Sequence, residues 1–571
     1  YEHVSVTPAS DKAVKNAFPD CYILFGGHSV SAEGFDLERY PFVDFLIHRF
    51  GEEPTADLLR AFVLRSGFDD VANISYRADD GRIITTRFEP QTATDFPSPY
   101  LTGVFDDILN DPVDFSVLFE TNRGCPNSCS FCDWGSLKSK VRLFPIERVK
   151  AELDWFAERK IEFVYCTDGN FCLFDRDAEI ADYVISRKEI YGYPKIFRVC
   201  FTKNRPDLVF GIGSALVKHG LDKAQTISFQ SMNPTVLQNI GRKNIPTERF
   251  RGLMKRYNEL KITTFSELIL GLPGETYDSF CSGVGELLEN GQHFALNIYP
   301  CELLPNAEMG QPWYKEKFGI KSVRVPFQLI HSYAGQKKDD ITEYSEYVVA
   351  TDSMDSEQWA RSMIFANYVM GLHNLGLTRA VAIWYRNELG VPYDKFYKDL
   401  ISASGNASFP LLNRIRTRIS KLCFGVAGTE NSLVATCEGL SDLLWGFDEL
   451  IFLEFYNNID VFYDELRSLL ALQYPESEET DALFSYQRDI IKKINVKTVS
   501  IRSEYDFYGY FQRIFMDEYS PLEKRPTVLS FDDPKPAPDF PTFARKVVWY
   551  GRNRRETDYS SSHYPVNVSY V

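Results

Sequence analysis

The chain contains the stretch Gly124-Cys125-Pro126-Asn127-Ser128-Cys129-Ser130-Phe131-Cys132, in which three cysteines follow the spacing Cys-x3-Cys-x2-Cys. Three thiolates on one short loop can each ligate one iron of a cubane iron–sulfur cluster, which leaves the fourth iron without a protein ligand. Such an open iron can bind a substrate or cosubstrate, whereas a four-cysteine electron-transfer cluster offers no free position. We therefore predict that Cys125, Cys129 and Cys132 hold a 4Fe–4S cluster.

Two other interpretations of this loop fit the sequence less well. A zinc site usually takes a fourth cysteine or histidine at its own characteristic spacing, and the closest downstream histidine is His219. Three unrelated core cysteines would be unusual on a polar Gly-Pro-Asn-Ser segment. The remaining cysteines are predicted to be small buried hydrophobic residues.

Around this loop, apolar runs typical of strands alternate with segments of helical periodicity. The strand-like runs are Phe115–Glu120, Ile161–Cys166, Ile196–Phe201, Thr226–Gln230, Thr263–Leu270 and Phe294–Tyr299, and the helical segments lie near 146–160, 177–188, 206–219, 246–260 and 275–290. Repeated β-then-α units predict parallel strands joined by right-handed crossovers. Six units predict an α/β fold with a partial (βα)6 barrel. The cysteine loop follows the first strand, at the barrel end where active sites lie.

The sequence on either side of the barrel predicts further domains. Residues 1–85 are predicted to form a partial α/β domain, and the proline-containing stretch 86–114 is predicted to be a linker. The barrel occupies 115–320, and 321–571 is predicted to be a mostly α-helical C-terminal domain, with long helices over 356–375 and 442–470. The chain begins abruptly at Tyr1, without a starting Met or a signal peptide, so we expect that its natural N-terminus lies upstream.

Composition excludes several classes of protein. Of the 571 residues, 44% are hydrophobic and 25% charged, which is typical of a globular chain. A net charge of −16 disfavours nucleic acid as a partner. Eleven cysteines scattered along so long a chain are not a secreted disulfide framework, so we expect a reducing, cytoplasmic location. No apolar run approaches the roughly 20 residues that a membrane helix needs, so we expect no membrane span.

Several motifs, taken together, resemble those of one superfamily. In order they are Glu120-Thr121-Asn122-Arg123-Gly124-Cys125-Pro126, Phe131-Cys132-Asp133-Trp134-Gly135, Thr167-Asp168-Gly169-Asn170-Phe171, Gln230-Ser231-Met232-Asn233, Gly271-Leu272-Pro273-Gly274-Glu275-Thr276 and Leu304-Pro305-Asn306-Ala307-Glu308-Met309. They resemble the strand-end motifs of radical S-adenosylmethionine (SAM) enzymes, specifically the branch with a cobalamin-binding domain. The resemblance covers residues 115–310. It implies that SAM binds the open iron and is cleaved to methionine and a 5′-deoxyadenosyl radical, which abstracts hydrogen from an unactivated C–H bond.

The resemblance also implies which residues bind SAM, although it assigns no catalytic residue. Phe131 would pack beside the cluster near the adenine, Asp168, Gly169 and Asn170 would lie by the amino group, Gln230, Ser231 and Arg242 would face the ribose and carboxylate, and Ile269 to Leu272 would flank the adenine. Each motif also has a purely structural interpretation. The Asp168-Gly169-Asn170 segment is an ordinary β-to-α turn, Arg242 is compatible with a surface position, and Gly271 to Gly274 with a turn before a helix.

Residues 21–62 resemble the second half of a cobalamin-binding domain of Rossmann-like fold. Gly26, Gly27 and Ser29 match the glycine loop that lies against the cobalamin nucleotide tail, and Glu52 matches a later Gly-Glu turn. The chain lacks the Asp-x-His-x-x-Gly motif whose histidine ligates cobalt in many such domains. Three explanations remain open: an upstream half-domain is missing, the family binds cobalamin without that histidine, or the domain has lost the cofactor.

These expectations define a leading hypothesis and two alternatives. The leading one is a cobalamin-dependent methyltransferase, in which one SAM methylates cobalamin and a second generates the radical that activates the substrate carbon. The first alternative is a non-methylating radical SAM enzyme such as an epimerase, cyclase or ring-rearranging enzyme. The second is a non-catalytic iron–sulfur or zinc protein. For the enzyme we expect a small-molecule or peptide substrate and an electron donor such as flavodoxin or ferredoxin. The sequence does not identify the substrate or the oligomeric state.

Overall fold

The computed structural model describes residues 8–27, 30, 35–91, 96–110, 115–135, 140–335, 342–428, 432–440, 443–533, 535–549 and 566–570. The N-terminal part folds around one small sheet. Its elements are α1 (Pro8–Ala17), β1 (Leu24–Gly26), α2 (Phe35–Arg39), β2 (Phe45–Ile47), α3 (Glu52–Leu64), β3 (Ile74–Arg77) and β4 (Ile83–Thr85). The strands lie in the order β1-β2-β3-β4, and β1 is parallel to β2. Because β3 and β4 continue the sheet antiparallel, only the first pair has the pattern of a Rossmann-like domain.

The first half of the barrel contains the cysteine loop. Its elements are β5 (Ser116–Phe119), β6 (Asn122–Arg123), β7 (Arg142–Leu143), α4 (Ile146–Glu158), β8 (Phe163–Cys166), α5 (Arg176–Tyr191), β9 (Ile196–Arg198) and α6 (Pro206–Lys218). Strands β5, β8 and β9 are parallel neighbours, and β6 and β7 form a two-stranded antiparallel pair across the cysteine loop. Phe119, Val164 and Phe197 of the strands pack with Phe156 and Val184 of the helices in one core.

The second half of the barrel repeats this arrangement. It comprises β10 (Ala224–Gln230), α7 (Pro234–Asn239), α8 (Thr247–Glu259), β11 (Thr263–Leu270), α9 (Tyr277–Glu289) and β12 (Leu296–Pro300). Strands β10, β11 and β12 are parallel. Within the described residues, two three-stranded parallel sheets thus supply six barrel strands, and the predicted partial (βα)6 barrel is confirmed.

The C-terminal part is mostly helical, as predicted, and also contains strands. Its elements are α10 (Pro312–Lys317), β13 (Lys321–Pro326), β14 (Tyr344–Ala350), α11 (Ser356–Tyr368), α12 (Arg379–Leu389), α13 (Tyr393–Ala403), α14 (Pro410–Ala427), β15 (Val434–Thr436), β16 (Leu444–Gly446), α15 (Phe447–Tyr456), α16 (Ile459–Ala471), α17 (Glu478–Asp489), β17 (Thr498–Ser503), α18 (Phe507–Phe515), β18 (Thr527–Asp532), α19 (Phe540–Phe543) and β19 (Val566–Tyr570). The predicted helix over 442–470 is wrong at its start, where β16 pairs with β15. Within the described ranges, no helix is long and apolar enough to cross a membrane.

One hydrophobic core joins the second half-barrel to the C-terminal helices. It includes Phe229, Leu268 and Leu296 from the barrel strands, together with the fully buried Trp359 and Leu450 from the helices. The helical region therefore stabilises the strands β10 to β12 from outside. On the other half, the segment 96–110 of the predicted linker lies against the barrel, since Tyr100 packs on its core. The predicted domain boundaries stay a prediction.

Candidate active site

The three cysteines lie on the loop that connects β6 and β7. All three are free thiols; Cys129 is buried, and Cys125 and Cys132 are half-buried. The loop begins at Gly124, whose φ of +108° favours glycine. The backbone N–H of Cys132 then donates to the carbonyl of Cys129 at 3.0 Å, so the last two cysteines share one tight turn.

Two neighbouring segments hold this loop in place. The N–H of Ser130 donates to the carbonyl of Ile240, which follows α7, and the N–H of Met309 beyond β12 donates to the carbonyl of Ser130. A Cβ at Gly241 would lie 2.8 Å from the carbonyl oxygen of Ser128, so that close approach requires glycine. The loop is thus fixed by contacts to the second half of the barrel.

Hydrogen-bond donors and cations surround the thiols. Asn170 Nδ2 lies 3.0 Å from Cys125 Sγ, and the backbone N–H of Asn127 lies 3.4 Å from the same sulfur. Lys203 Nζ is 3.9 Å from Cys129 Sγ, and the guanidinium of Arg242 lies beside Cys129. Burial lowers the pKa of both cations, and the thiolate of Cys129 acts in the opposite direction.

This environment fits an iron–sulfur cluster. Donors and positive charges stabilise thiolates and the negative charge of a ligated cluster. Cys125, Cys129 and Cys132 are the residues whose thiolates such a cluster would use.

Asp168 follows β8 and is fully buried. Its Oδ1 accepts hydrogen bonds from the backbone N–H groups of Thr121 at 2.7 Å and Asn122 at 3.1 Å. Its Oδ2 accepts from Asn122 Nδ2 at 2.7 Å and from the Thr121 hydroxyl. A carboxylate offers about four acceptor positions, and this chain fills all of them. The predicted contact with SAM stays a prediction, and the geometry favours a contact through the adjoining Gly169 and Asn170 instead.

The residues predicted to face the ribose and carboxylate lie at the end of β10. The strand is irregular between Ser228 and Gln230, and Gln230 has a φ of +69°. The hydroxyl of Ser231 donates to Glu275 Oε2 at 2.6 Å. Arg242 Nη2 donates to the carbonyl of Ser228 at 2.5 Å, which brings this guanidinium from the loop after α7 to the same strand end.

The apolar part of the predicted SAM site also comes together. Phe131 from the cysteine loop, Ile269 from β11 and the fully buried Leu272 belong to one hydrophobic cluster, which includes Met309 and Tyr314. Tyr314 Oη lies 2.9 Å from Ser130 Oγ. Phe131 and the end of β11 thus share one apolar cluster, which is compatible with the predicted adenine contact.

The sequence prediction gave no role to two polar residues of this site, although one of them, Glu275, lies within a quoted motif. Glu275 is buried, accepts hydrogen bonds from Ser231 and Asn233, and has its pKa raised by burial. Lys203 follows the third barrel strand, and this position at a strand end is the only signal in the sequence that points to it.

Of the candidate cobalamin residues, Gly26 ends the edge strand β1 of the N-terminal sheet and Gly27 follows it. A Cβ at Gly26 would make an ordinary contact with Ile47, whereas no atom of the described residues lies within 4 Å of the Cβ position at Gly27, whose φ is +95°. This open backbone suits the close approach of a bulky cofactor. Glu52 is the first residue of α3, and its Oε1 accepts a hydrogen bond from Arg123 Nη1 at 2.6 Å. Ser29 lies outside the described residues.

Comparison with known proteins identifies the family. The family model described as the radical SAM superfamily matches residues 119–282. The cobalamin-dependent radical SAM methyltransferase TokK of Streptomyces tokunonensis is 33% identical over 526 residues, which make up 88% of this chain and 77% of that protein. The chain belongs to the cobalamin-dependent radical SAM methyltransferases.

Two further comparisons extend the description of this methyltransferase. The 2-(S-pantetheinyl)-carbapenam-3-carboxylate methyltransferase of Streptantibioticus cattleyicolor is 33% identical over 575 aligned positions, covering 94% of this chain and 83% of that protein. Among solved structures, the cobalamin-dependent SAM radical enzyme OxsB, with aqua-cobalamin and SAM bound, has a TM-score of 0.45 at 14% identity and covers 84% of this chain and 71% of that chain.

Family membership confirms the predicted enzyme class and its cofactors. The methyltransferase uses a 4Fe–4S cluster, SAM and cobalamin, and it requires a reductant and a small-molecule substrate. Methyl transfer to an unactivated carbon is consistent with this assignment. The non-methylating and the non-catalytic alternatives are not supported.

Proposed function

We propose that this methyltransferase acts on a small bicyclic carboxylate of the carbapenam class that carries a thioether side chain. The supporting observation is the 33% identity with the carbapenam-carboxylate methyltransferase, which extends over 94% of the chain. It therefore includes the C-terminal helices as well as the barrel.

We assign the cluster to Cys125, Cys129 and Cys132. When bound, the cluster supplies the electron that cleaves SAM, and cobalamin carries the methyl group. Asn170 donates to the sulfur of Cys125, and Lys203 lies beside Cys129. Both groups stabilise negative charge at the cluster, and the potential of such a cluster depends on hydrogen bonds to its sulfurs.

Arg242 is our candidate for the SAM carboxylate, because its planar fork of N–H donors matches a carboxylate. Hydrogen bonds to the Ser228 carbonyl and to Asn244 Oδ1 orient the guanidinium. Gln230 and Ser231 lie at the same strand end, where they are able to contact the ribose. The buried Glu275 acts through Ser231, whose hydroxyl it holds.

Phe131, Ile269 and Leu272 form the apolar side of the proposed site. They exclude water from the adenine. A Cβ at Gly169 would lie 3.6 Å from the Trp134 ring and 3.8 Å from Cys125 Cβ, so this turn faces the cluster loop. We propose that Gly169 and Asn170 contact the amino group of SAM, while Asp168 fixes the turn.

For cobalamin we retain Gly26, Gly27, Ser29 and Glu52 as candidate contacts. The open backbone at Gly27 supports this assignment. We further propose flavodoxin or ferredoxin as the electron donor and a reducing cytoplasm as the location. The eleven free cysteines are compatible with both proposals.

Product analysis with a substrate panel tests the proposed function. Anaerobically reconstituted enzyme, SAM, cobalamin and a reductant would be mixed with a carbapenam carboxylate, its carboxamide analogue or an unrelated peptide. We expect a methylated product, deoxyadenosine and S-adenosylhomocysteine with the carboxylate alone, and none with a Cys125/Cys129/Cys132→Ala control. Equal methylation of the carboxamide, or of the peptide, would refute the proposed substrate class.

A further inference from the structure

The hairpin β6–β7, which carries the cysteine loop, has two arginines at its base. Arg123 and Arg142 are directly opposite each other in the antiparallel pair. Like charges at opposed positions destabilise a strand pair. Burial lowers the pKa of Arg142, and the charge of Arg123 lowers it further. The base of the hairpin therefore needs compensating groups.

The N-terminal domain supplies some of those groups. Arg123 Nη1 donates to Glu52 Oε1 at 2.6 Å, while its Nε donates to Glu120 Oε1 of the barrel at 3.3 Å. The ring of Phe50 lies 5.1 Å from the guanidinium of Arg123 and 4.6 Å from that of Arg142. A carboxylate and an aromatic face from the N-terminal domain thus stabilise both cations.

A second contact joins the same two domains nearby. Asn306 Nδ2 donates to the carbonyl of Val30 at 2.7 Å. The N–H of Val30 in turn donates to the carbonyl of Gly27, so this contact reaches the candidate glycine loop. On the barrel side, Asn306 precedes Met309, which holds the carbonyl of Ser130 in the cysteine loop.

Both candidate cobalamin segments therefore contact the surroundings of the cysteine loop. Glu52 bonds Arg123 at the base of the hairpin that carries this loop. Val30, next to the glycine loop, bonds Asn306 in the segment that holds the cysteine loop through Met309. We propose that Arg123 and Asn306 are positioning residues that fix the cobalamin-binding loops against the cluster loop, so that the methyl carrier and the radical source act on one substrate. This inference rests on the proposed cobalamin contacts. It gives Glu52 the role of a linking carboxylate.

The test is a double-mutant cycle on the Glu52–Arg123 pair. The variants are Glu52→Gln, Arg123→Gln and both together. Arg82→Gln is the matched control, since Arg82 forms an exposed ion pair with Asp80 in the same domain. Asn306→Ala probes the second contact and removes only a neutral amide, which keeps the test usable if Arg123→Gln does not fold.

The first measurement is hydrogen exchange on the protein without added cofactors. Glu52→Gln is expected to accelerate exchange of the β6 and β7 amides by about tenfold, although Glu52 belongs to the other domain. Because Arg123→Gln already removes the partner of Glu52, adding Glu52→Gln should change exchange no further, and the double variant should match Arg123→Gln. Unchanged exchange in these strands, or additive effects, would overturn the inference whether or not the chain binds cobalamin.

The second measurement is the yield of methylated product per deoxyadenosine. Misplacement by about 1 Å can cost roughly 100-fold in rate, so we expect this yield to fall at least about tenfold in Glu52→Gln, Arg123→Gln and Asn306→Ala. Iron content should remain within about twofold of the wild type in all three variants, and so should the dissociation constant of hydroxocobalamin in Arg123→Gln and Asn306→Ala. A weakened hydroxocobalamin complex in Glu52→Gln alone would instead make Glu52 a direct cofactor contact. A wild-type enzyme that cleaves SAM without methylating anything would refute the proposed function rather than the positioning role.

Discussion

Asp168 offers the sharpest test of the site, because an isosteric replacement separates its hydrogen bonds from its charge. In Asp168→Asn, the amide oxygen still accepts from the two backbone N–H groups of Thr121 and Asn122. The NH2 group of the new asparagine faces the two side chains that donate to Oδ2 in the wild type. The Thr121 hydroxyl can rotate so that its oxygen accepts from this NH2 group, and the Asn122 side-chain amide is the second neighbour. Asn122 Oδ1 is buried and has no partner among the described residues, so a half-turn of that amide supplies the second acceptor.

The comparison with Asp168→Ala gives the magnitude. Both variants lack the charge, but alanine leaves four buried donors without an acceptor. At about 1 kcal/mol for each lost bond, Asp168→Ala should be less stable than Asp168→Asn by about 4 kcal/mol. Since 1.4 kcal/mol is a factor of ten, amides of β5 and β8 that exchange by opening of this unit should exchange roughly 10²- to 10³-fold faster in the alanine variant.

Hydrogen exchange with mass spectrometry measures this difference, and Asp175→Ala, at an exposed residue of the same half-barrel, is the control. If the two Asp168 variants exchange within about threefold of each other, the four-bond geometry is refuted. Asp168→Asn also tests the contact with SAM. Because no acceptor position is left for an ammonium, we expect the dissociation constant of SAM to stay within about threefold. An increase of tenfold or more would make Asp168 a direct ligand.

Three other predictions follow from the same region. Asn170→Ala removes the hydrogen-bond donor to the sulfur of Cys125. If that bond favours the reduced cluster by about 1 kcal/mol, its loss should lower the reduction potential of the cluster by about 40 mV. An unchanged potential in an EPR-monitored redox titration would disprove this contact. Arg242→Gln should raise the dissociation constant of SAM at least about tenfold, while Arg249→Gln, at an exposed ion pair, should not; equal effects would remove Arg242 from the site. Burial raises the pKa of Asp168 to about 6, so the folded chain holds that proton more tightly than the unfolded chain, and stability decreases as pH rises from about 4 to about 6. Relative to Asp168→Asn, the free energy of unfolding of the wild type should fall by about 3 kcal/mol between these two pH values. If the denaturation midpoints of the two proteins differ by the same amount at both pH values, the raised pKa of Asp168 is contradicted.

Apolar periodicity predicted the barrel well, because its strands are short, buried runs between turns. The run Thr263–Leu270 is strand β11 with the predicted bounds, and the helix expected from 146 is α4. The same apolar periodicity gave a wrong prediction where an apolar run is compatible with both a strand and a helix. The apolar run around Leu444 is a strand that pairs with Val434–Thr436, and periodicity does not distinguish such a run from the start of a helix. The six-residue helix α7 is too short to show a period.

Within the site, spacing alone indicates the proposed cluster ligands of the cysteine loop, and their assignment stays a prediction. The placement of other residues in the site depends on which strand ends come together in the fold and on which side chains become buried there. Lys203 is an ordinary charged residue in the sequence, and the motif that contains Glu275 gives that residue no role. Only the fold brings Lys203 to Cys129 and Glu275 to Ser231. The Arg123–Glu52 contact joins residues that are 71 positions apart, and no local pattern indicates it.

Methyl transfer to carbon by this enzyme is expected to proceed through cobalamin. One turnover of reconstituted enzyme with trideuteromethyl-cobalamin, unlabelled SAM, a reductant and the carbapenam carboxylate tests this most directly. Mass spectrometry of the product should show one trideuteromethyl group bonded to carbon, with one deoxyadenosine formed per product. An unlabelled methyl group, or deoxyadenosine without a methylated product from enzyme that retains its cluster and cobalamin, would contradict the account.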